Sequence, residues 1–179
     1  MRASDGFDQD AIAKVKRETI LNMASRMFTC RGVDSTSLDE IATTLGTTKA
    51  RLYKYVGDKQ TLVAECFARA DRIYGYIMTC ALEQGATAQE QIVGLLRSNA
   101  MAQQHKELQP LRYGSAVGAL PASEQVRAAE RLRRRNQEYT ALYRAAKHER
   151  SMRDIDLELF KQITPGAAAW LWKDFAKQT

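Results

Sequence analysis

The chain has 179 residues, enough for one large domain or two small ones. Hydrophobic residues at 45% exclude wholesale disorder, and no run of about 18 apolar residues offers a helical membrane span. Twenty-seven Lys and Arg against 21 Asp and Glu leave +6, which admits nucleic acid, an anionic surface or an acidic ligand as partner and says nothing of fold.

The start, MRASDGFDQD, lacks the apolar stretch of a secretory signal, so a cytoplasmic location with no membrane partner is expected. Cys30, Cys66 and Cys80 form no CxxC pair and are expected as buried free thiols. His105 and His148 have no acidic or thiol neighbours at metal-ligand spacing and read as surface residues. No metal and no cofactor are expected.

Helical periodicity runs almost throughout, which predicts an all-α protein. The acidic first ten residues read as a flexible arm. A first helix starts near Asp10, with Ile20, Met23, Ala24, Met27 and Phe28 on one face, and ends at Arg31-Gly32. Two short helices follow, Ser37 to Leu45 and Lys49 to Tyr55, separated by Gly46-Thr47-Thr48. A longer one begins at Asp58 and carries Leu62, Cys66, Phe67, Ala70, Tyr74, Ile77 and Met78 on a wide apolar face. Further helices are predicted over Ala88 to His105, Pro110 to Leu120, Ser123 to Arg150 and Asp156 to Phe175.

The stretch Gly32 to Leu62 carries the most information. Ser37 and Glu40 have capping-box spacing, ahead of inward Leu38, Ile41, Ala42 and Leu45. Gly46 supplies a sharp reversal, and Thr48 has a hydroxyl to cap the next helix. Leu52 and Val56 anchor that helix inward, leaving Lys49, Ala50, Arg51, Tyr53 and Lys54 outside. Such a helix suits a DNA major groove, and it equally suits a solvated bundle face. Periodicity alone leaves these two readings open.

The segment resembles the tetracycline-repressor-like (TetR) family pattern at Thr36-Ser37, Ile41-Ala42, Gly46, Thr48, Leu52-Tyr53, Tyr55 and Lys59. The likeness covers about 50 residues. Two positions depart from it: Ala50 stands where glycine or proline is frequent, and Val56 where phenylalanine is frequent. The resemblance implies an N-terminal three-helix helix-turn-helix over residues 11–60 and a ligand-sensing, dimerising helical body over 61–179. It implies Arg51 and Lys49 at base edges, where either can donate to guanine, with the Ala50 methyl free for thymine. Thr36, Ser37, Thr47 and Thr48 at helix N-termini, Tyr53, Tyr55, Lys54 and Lys59 are then candidates for phosphate.

In the remainder the likeness thins to one echo, Glu149 to Asp156, similar to the family turn in which an acidic cap precedes the next helix. Tyr74, Met78, Met101, Tyr113, Tyr139, Tyr143 and Trp170 are candidates for an apolar, tyrosine-bearing pocket, each with ordinary core as its alternative. Arg127, Arg131 and Arg134, beside Arg133 and Arg135, read as a solvated face, with an anionic ligand or extra DNA contact as alternatives. Ile163, Ala167, Trp170, Leu171 and Phe175 suggest a dimer face.

The expected function is sequence-specific transcriptional regulation by a homodimer on double-stranded operator DNA. The expected form is a repressor released by a largely apolar small-molecule effector. The alternative is an architectural or interaction protein of the same fold, regulated by a protein partner. No catalytic constellation is present in the sequence, so no enzyme is expected.

Overall fold

A computed structural model describes residues 4–112, 117–153 and 155–161, with side chains from residue 9 onward. Among them lie α1 (Ser4–Arg31), α2 (Leu38–Thr44), α3 (Lys49–Val56), α4 (Lys59–Gln84), α5 (Ala88–Gln104) and α6 (Ala122–His148), and a further helical turn over 157–161. A 3-10 turn covers Val117–Ala119. No strand occurs among the described residues, so the expected all-α class holds.

The chain divides into two compact units. One comprises Met1–Ala70 and Gln109–Gln125, the other Asp71–Leu108 and Val126–Thr179. In the first, α1, α2 and α3 pack against one another. Phe28, Ile41, Leu52, Leu62 and Phe67 are almost wholly excluded from solvent there, as the periodicity predicts. In the second, Ile77, Met78, Ala81, Ile92, Leu95, Tyr139, Leu142, Ala146 and Phe160 form one buried cluster.

Three expectations about the elements are corrected. Helix α1 begins at Ser4 rather than near Asp10, so most of the expected arm is helical; its acidic sequence suits the positive end of a helix dipole. The helix expected over Pro110 to Leu120 is absent from its described part: Pro110–Arg112 is not helical, and only the turn at Val117–Ala119 follows. Pro110, Gly114 and Gly118 are the residue types least suited to a helix interior. Helix α6 stops at His148, because Arg150 turns into the left-handed region at φ 54°. Arg150 N donates to Lys147 O at 3.2 Å and Ser151 N to Ala146 O at 3.1 Å, a Schellman closure normally built on glycine.

Asp156 then caps the next helix. Its Oδ1 accepts from Glu158 N at 2.9 Å and Leu159 N at 3.0 Å, as the echo of the family turn implied. The expected dimer residues Ile163, Ala167, Trp170, Leu171 and Phe175 lie outside the described residues.

The thiols divide. Cys66 is fully buried and donates to Leu21 O at 3.6 Å, but Cys80 is half-buried and Cys30 exposed. Cys30 sits two positions past buried Phe28, about 200° around the helix, which turns it outward. Burial pushes the Cys66 thiol up to about 12, against an opposing hydrogen bond with Ser25. Partial burial also raises the Cys30 thiol, so a thiol-reactive dye at neutral pH is expected to label Cys30 slowly in the folded chain and Cys66 only on unfolding. Rapid labelling of Cys66 in the folded chain would contradict its burial. Because the folded pKa lies above the ordinary 9.0, the stabilisation from keeping this thiol neutral is complete below pH 9. It is lost progressively as pH rises toward 12.

Candidate nucleic-acid interface and ligand cavity

In the first unit the helix-turn-helix is assembled by local bonds. Ser37 Oγ accepts from Glu40 N at 3.2 Å while Glu40 Oε2 accepts from Ser37 N at 2.7 Å, completing the capping box. The bond from Ser37 N and a second from the Ser37 hydroxyl to the same Oε2 at 2.9 Å, with smaller help from Arg31, hold the Glu40 carboxyl below its ordinary range. Gly46, at φ 63°, reverses the chain, and Thr47 N closes the turn on Ala42 O at 2.9 Å. Thr48 Oγ1 accepts from Arg51 N at 3.3 Å and so caps α3. Asp58 does the same for α4, accepting from Thr61 N at 2.7 Å.

Helix α3 is split as its sequence demands. Leu52 and Val56 are buried, with Leu52 wholly so, while Lys49, Ala50, Arg51, Tyr53 and Lys54 are exposed. Ser37 and Thr48 are also exposed, and Thr47, Tyr55 and Lys59 are half-buried. Two residues differ from expectation. Thr36 is 1% exposed and its hydroxyl donates to Gly32 O at 2.8 Å, so it closes the turn after α1 and does not face outward toward phosphate. Lys49 forms an ion pair with Asp39 at 2.7 Å, which raises its pKa. This contact spans ten residues, so no helical spacing announced it. Tyr55 is held by its backbone, whose carbonyl accepts from Arg17 Nη1 at 2.7 Å.

In the second unit, α4, α5 and α6 line a cavity of about 130 Å3. Of the pocket candidates it brings together Tyr74, Met78 and Tyr139. Met101 is 59% exposed and lines a separate groove with Ile73 and Tyr76, so it is corrected to a surface position. Tyr143 is not in the cavity either: its hydroxyl donates to Ile155 O and its ring packs on Phe160, centroids 5.3 Å apart. Tyr113 and Trp170 lie outside the described residues.

Polar residues that the apolar pocket reading passed over complete the lining: Asp71, Asn99 and Glu138, with Arg131, Arg134 and Arg135 from the arginine-rich stretch of α6. Arg131 meets Asp71 at 3.4 Å and Arg134 meets Glu138 at 3.1 Å, not the Glu130 that lies four residues before it. The Arg135 guanidinium lies 5.0 Å from the Tyr74 ring centre, and Gln103 Nε2 donates to the Tyr74 hydroxyl at 2.9 Å. Burial raises the Tyr139 pKa, opposed by Arg135 and a hydrogen bond from Asn99. A signal for Asn99 and Gln103 was present: both occupy the inner register of α5, with Ile92, Leu95 and Ala102.

Among the described residues no helix is long and apolar enough to cross a membrane, and no cluster of potential metal ligands occurs.

Comparison with known proteins agrees with the geometry. Residues 20–66 match the model of bacterial regulatory proteins of the tetR family. The HTH-type transcriptional regulator AcrR of Shigella flexneri is 38% identical over 63 residues, which are 35% of this chain and 29% of AcrR. The aligned stretch thus spans less than a third of that relative. Among solved structures, AibR in complex with isovaleryl coenzyme A and operator DNA superposes with a TM-score of 0.70 at 19% identity, covering 88% of this chain and 85% of AibR. The ketosteroid regulator KstR2 of Mycobacterium tuberculosis gives 0.70 at 20%, over 87% and 82%. PfmR of Thermus thermophilus gives 0.65 at 20%, over 84% and 85%. At these identities the structures establish a common fold, and the sequence match is confined to the helix-turn-helix: residues 20–66 are similar to the tetR family of bacterial regulatory proteins.

Proposed function

We propose that the chain is a transcriptional repressor that binds a palindromic operator as a homodimer and is released by a small molecule. The observation that carries this reading is the division of α3 into a buried anchor, Leu52 and Val56, and an exposed face with Lys49, Arg51 and Lys54. Residues 11–60 act as the DNA-binding domain and 61–179 as the sensing and dimerising one. Arg51 reads bases. Ser37, Thr47, Thr48, Tyr53, Lys54, Tyr55 and Lys59 position the helix on phosphates, with Ala50 against a thymine methyl.

The cavity in the second unit favours an effector over regulation by a protein partner, since polar groups converge on open space rather than a filled core. Helix α4 carries Lys59 at its first residue and Asp71, Tyr74 and Met78 along the cavity. A ligand acts through it only by preferring the released conformation to the DNA-bound one.

Selection of the full chain on a random duplex library tests the proposal. An inverted repeat is expected, with half-sites about 34 Å apart and a dimer in sedimentation. A monomer that binds one half-site, or a pool without enrichment, would refute it.

The Asp39–Lys49 pair adds a prediction. An exposed ion pair is worth little in water, so DNA can take Lys49 from Asp39. Asp39→Asn is expected to tighten binding to random DNA severalfold. It should also steepen the slope of log affinity against log salt by about one per chain. An unchanged slope would mean that Lys49 makes no DNA contact.

A further inference from the structure

The cavity of the second unit is more specific than an apolar pocket. Asn99 lines it and is only 8% exposed. Its Nδ2 donates to Leu95 O at 2.9 Å, while its Oδ1 is buried with no hydrogen-bond partner among the described residues. A buried acceptor left unpaired is costly, so such a group in a cavity calls for a donor from whatever fills it. The charges have a sign as well. Arg131, Arg134 and Arg135 face Asp71 and Glu138, three cations against two carboxylates, an excess of one positive charge. Met78 and Leu95, both nearly inaccessible, supply an apolar wall, and Tyr74 a ring face.

Size narrows the choice. The 130 Å3 of open space is close to that of an engineered cavity of about 150 Å3 that admits benzene. Open space of that size takes a single ring, and the exposed Arg134 on its lining leaves room beyond it for a charged substituent.

We infer that this cavity binds a small aromatic carboxylate bearing a hydroxyl: the carboxylate on the arginines, the ring against Tyr74, Met78 and Leu95, and the hydroxyl donating to Asn99 Oδ1. The inference rests on the reading of the second unit as the effector-binding part, and it names the class of effector. A guanidinium is the natural partner for a planar carboxylate, which it can hold through two parallel hydrogen bonds. Neither Asp71 nor Glu138 need leave its arginine entirely, since each guanidinium has five donors.

Calorimetry on the full chain tests it, with 4-hydroxybenzoate, benzoate, phenol, benzylammonium and inorganic phosphate as probes. One molecule of 4-hydroxybenzoate is expected to bind per chain. Benzoate, lacking the donor, and phenol, lacking the charge, should each bind about tenfold more weakly or worse. Benzylammonium and phosphate should give no heat. Asn99→Leu is expected to abolish the preference for 4-hydroxybenzoate over benzoate while benzoate still binds, a result that general damage to the fold would not give. Arg135→Met should weaken both acids about tenfold and leave phenol unchanged. Should that variant unfold, Arg134→Met serves, its side chain being 82% exposed. Equal binding of benzoate and 4-hydroxybenzoate, a preference for phenol or phosphate, or no binding of any probe would overturn the inference. Operator affinity measured in parallel separates the two readings. Binding of 4-hydroxybenzoate with unchanged operator affinity upholds the site and defeats its effector role. Intact operator binding with no uptake of the acid defeats the site alone.

Discussion

Arg51→Ala is expected to abolish discrimination at one or two base pairs of each half-site, at a cost of about 1–3 kcal/mol per half-site. Arg51 lies in the first turn of α3, where its backbone N–H is spent on the Thr48 cap and its side chain is exposed. Removal of the side chain therefore leaves the helix and its anchor intact. In a dimer the loss is felt twice, so operator affinity should fall roughly thirtyfold or more while random DNA loses far less. Lys59→Ala supplies the contrast. A phosphate contact is blind to sequence, so this variant should weaken operator and random duplex alike and shallow the salt dependence. Titrations on both duplexes at several salt concentrations distinguish the two. Equal losses on operator and random DNA for Arg51→Ala would strip it of the base-reading role.

Leu52→Ala should act through folding rather than contact. Leu52 has no exposed surface, and no other buried residue in the middle of α3 helps to anchor it. Truncating it removes the transfer free energy of the side chain and leaves a cavity, together about 2–5 kcal/mol. A helix of eight residues has little stability of its own, so it depends on this contact to hold its exposed face in place. The expected result is a lower urea midpoint by circular dichroism and loss of operator binding in proportion. Leu52→Met conserves volume and should cost much less. A Leu52→Ala variant with an unchanged midpoint would mean that α3 is held elsewhere.

The features of the helix-turn-helix that the sequence displays are local. The Ser37–Glu40 box, the Gly46 reversal, the Thr48 cap and the inward spacing of Leu52 and Val56 each join residues within four positions, and all of them are present in the fold. Bonds of that span are dictated by residue type and spacing, so they can be read without knowing what lies nearby. The same logic had one failure within that span. Thr36 looks like an exposed helix-start hydroxyl, yet it is turned inward onto the Gly32 carbonyl four residues earlier. A short hydroxyl side chain bonds forward or backward with similar ease, and only the packing around it chooses.

The cavity was decided by tertiary structure. Ranking residues by apolar and aromatic character selected Met101 and passed over Asn99, although two residues on a helix stand about 200° apart and only one of them can face inward. The register of Ile92, Leu95 and Ala102 already assigned the inner face to Asn99; the hydropathy of its amide argued the other way. Nor does spacing along α6 reveal that Arg131 meets Asp71, 60 positions away, or that Arg135 lies over Tyr74. Local chemistry sets where each helix begins, ends and turns its apolar side. Which charges and rings then meet depends on how α4, α5 and α6 are rotated and offset against one another, a choice made by the fit of their whole buried faces at once.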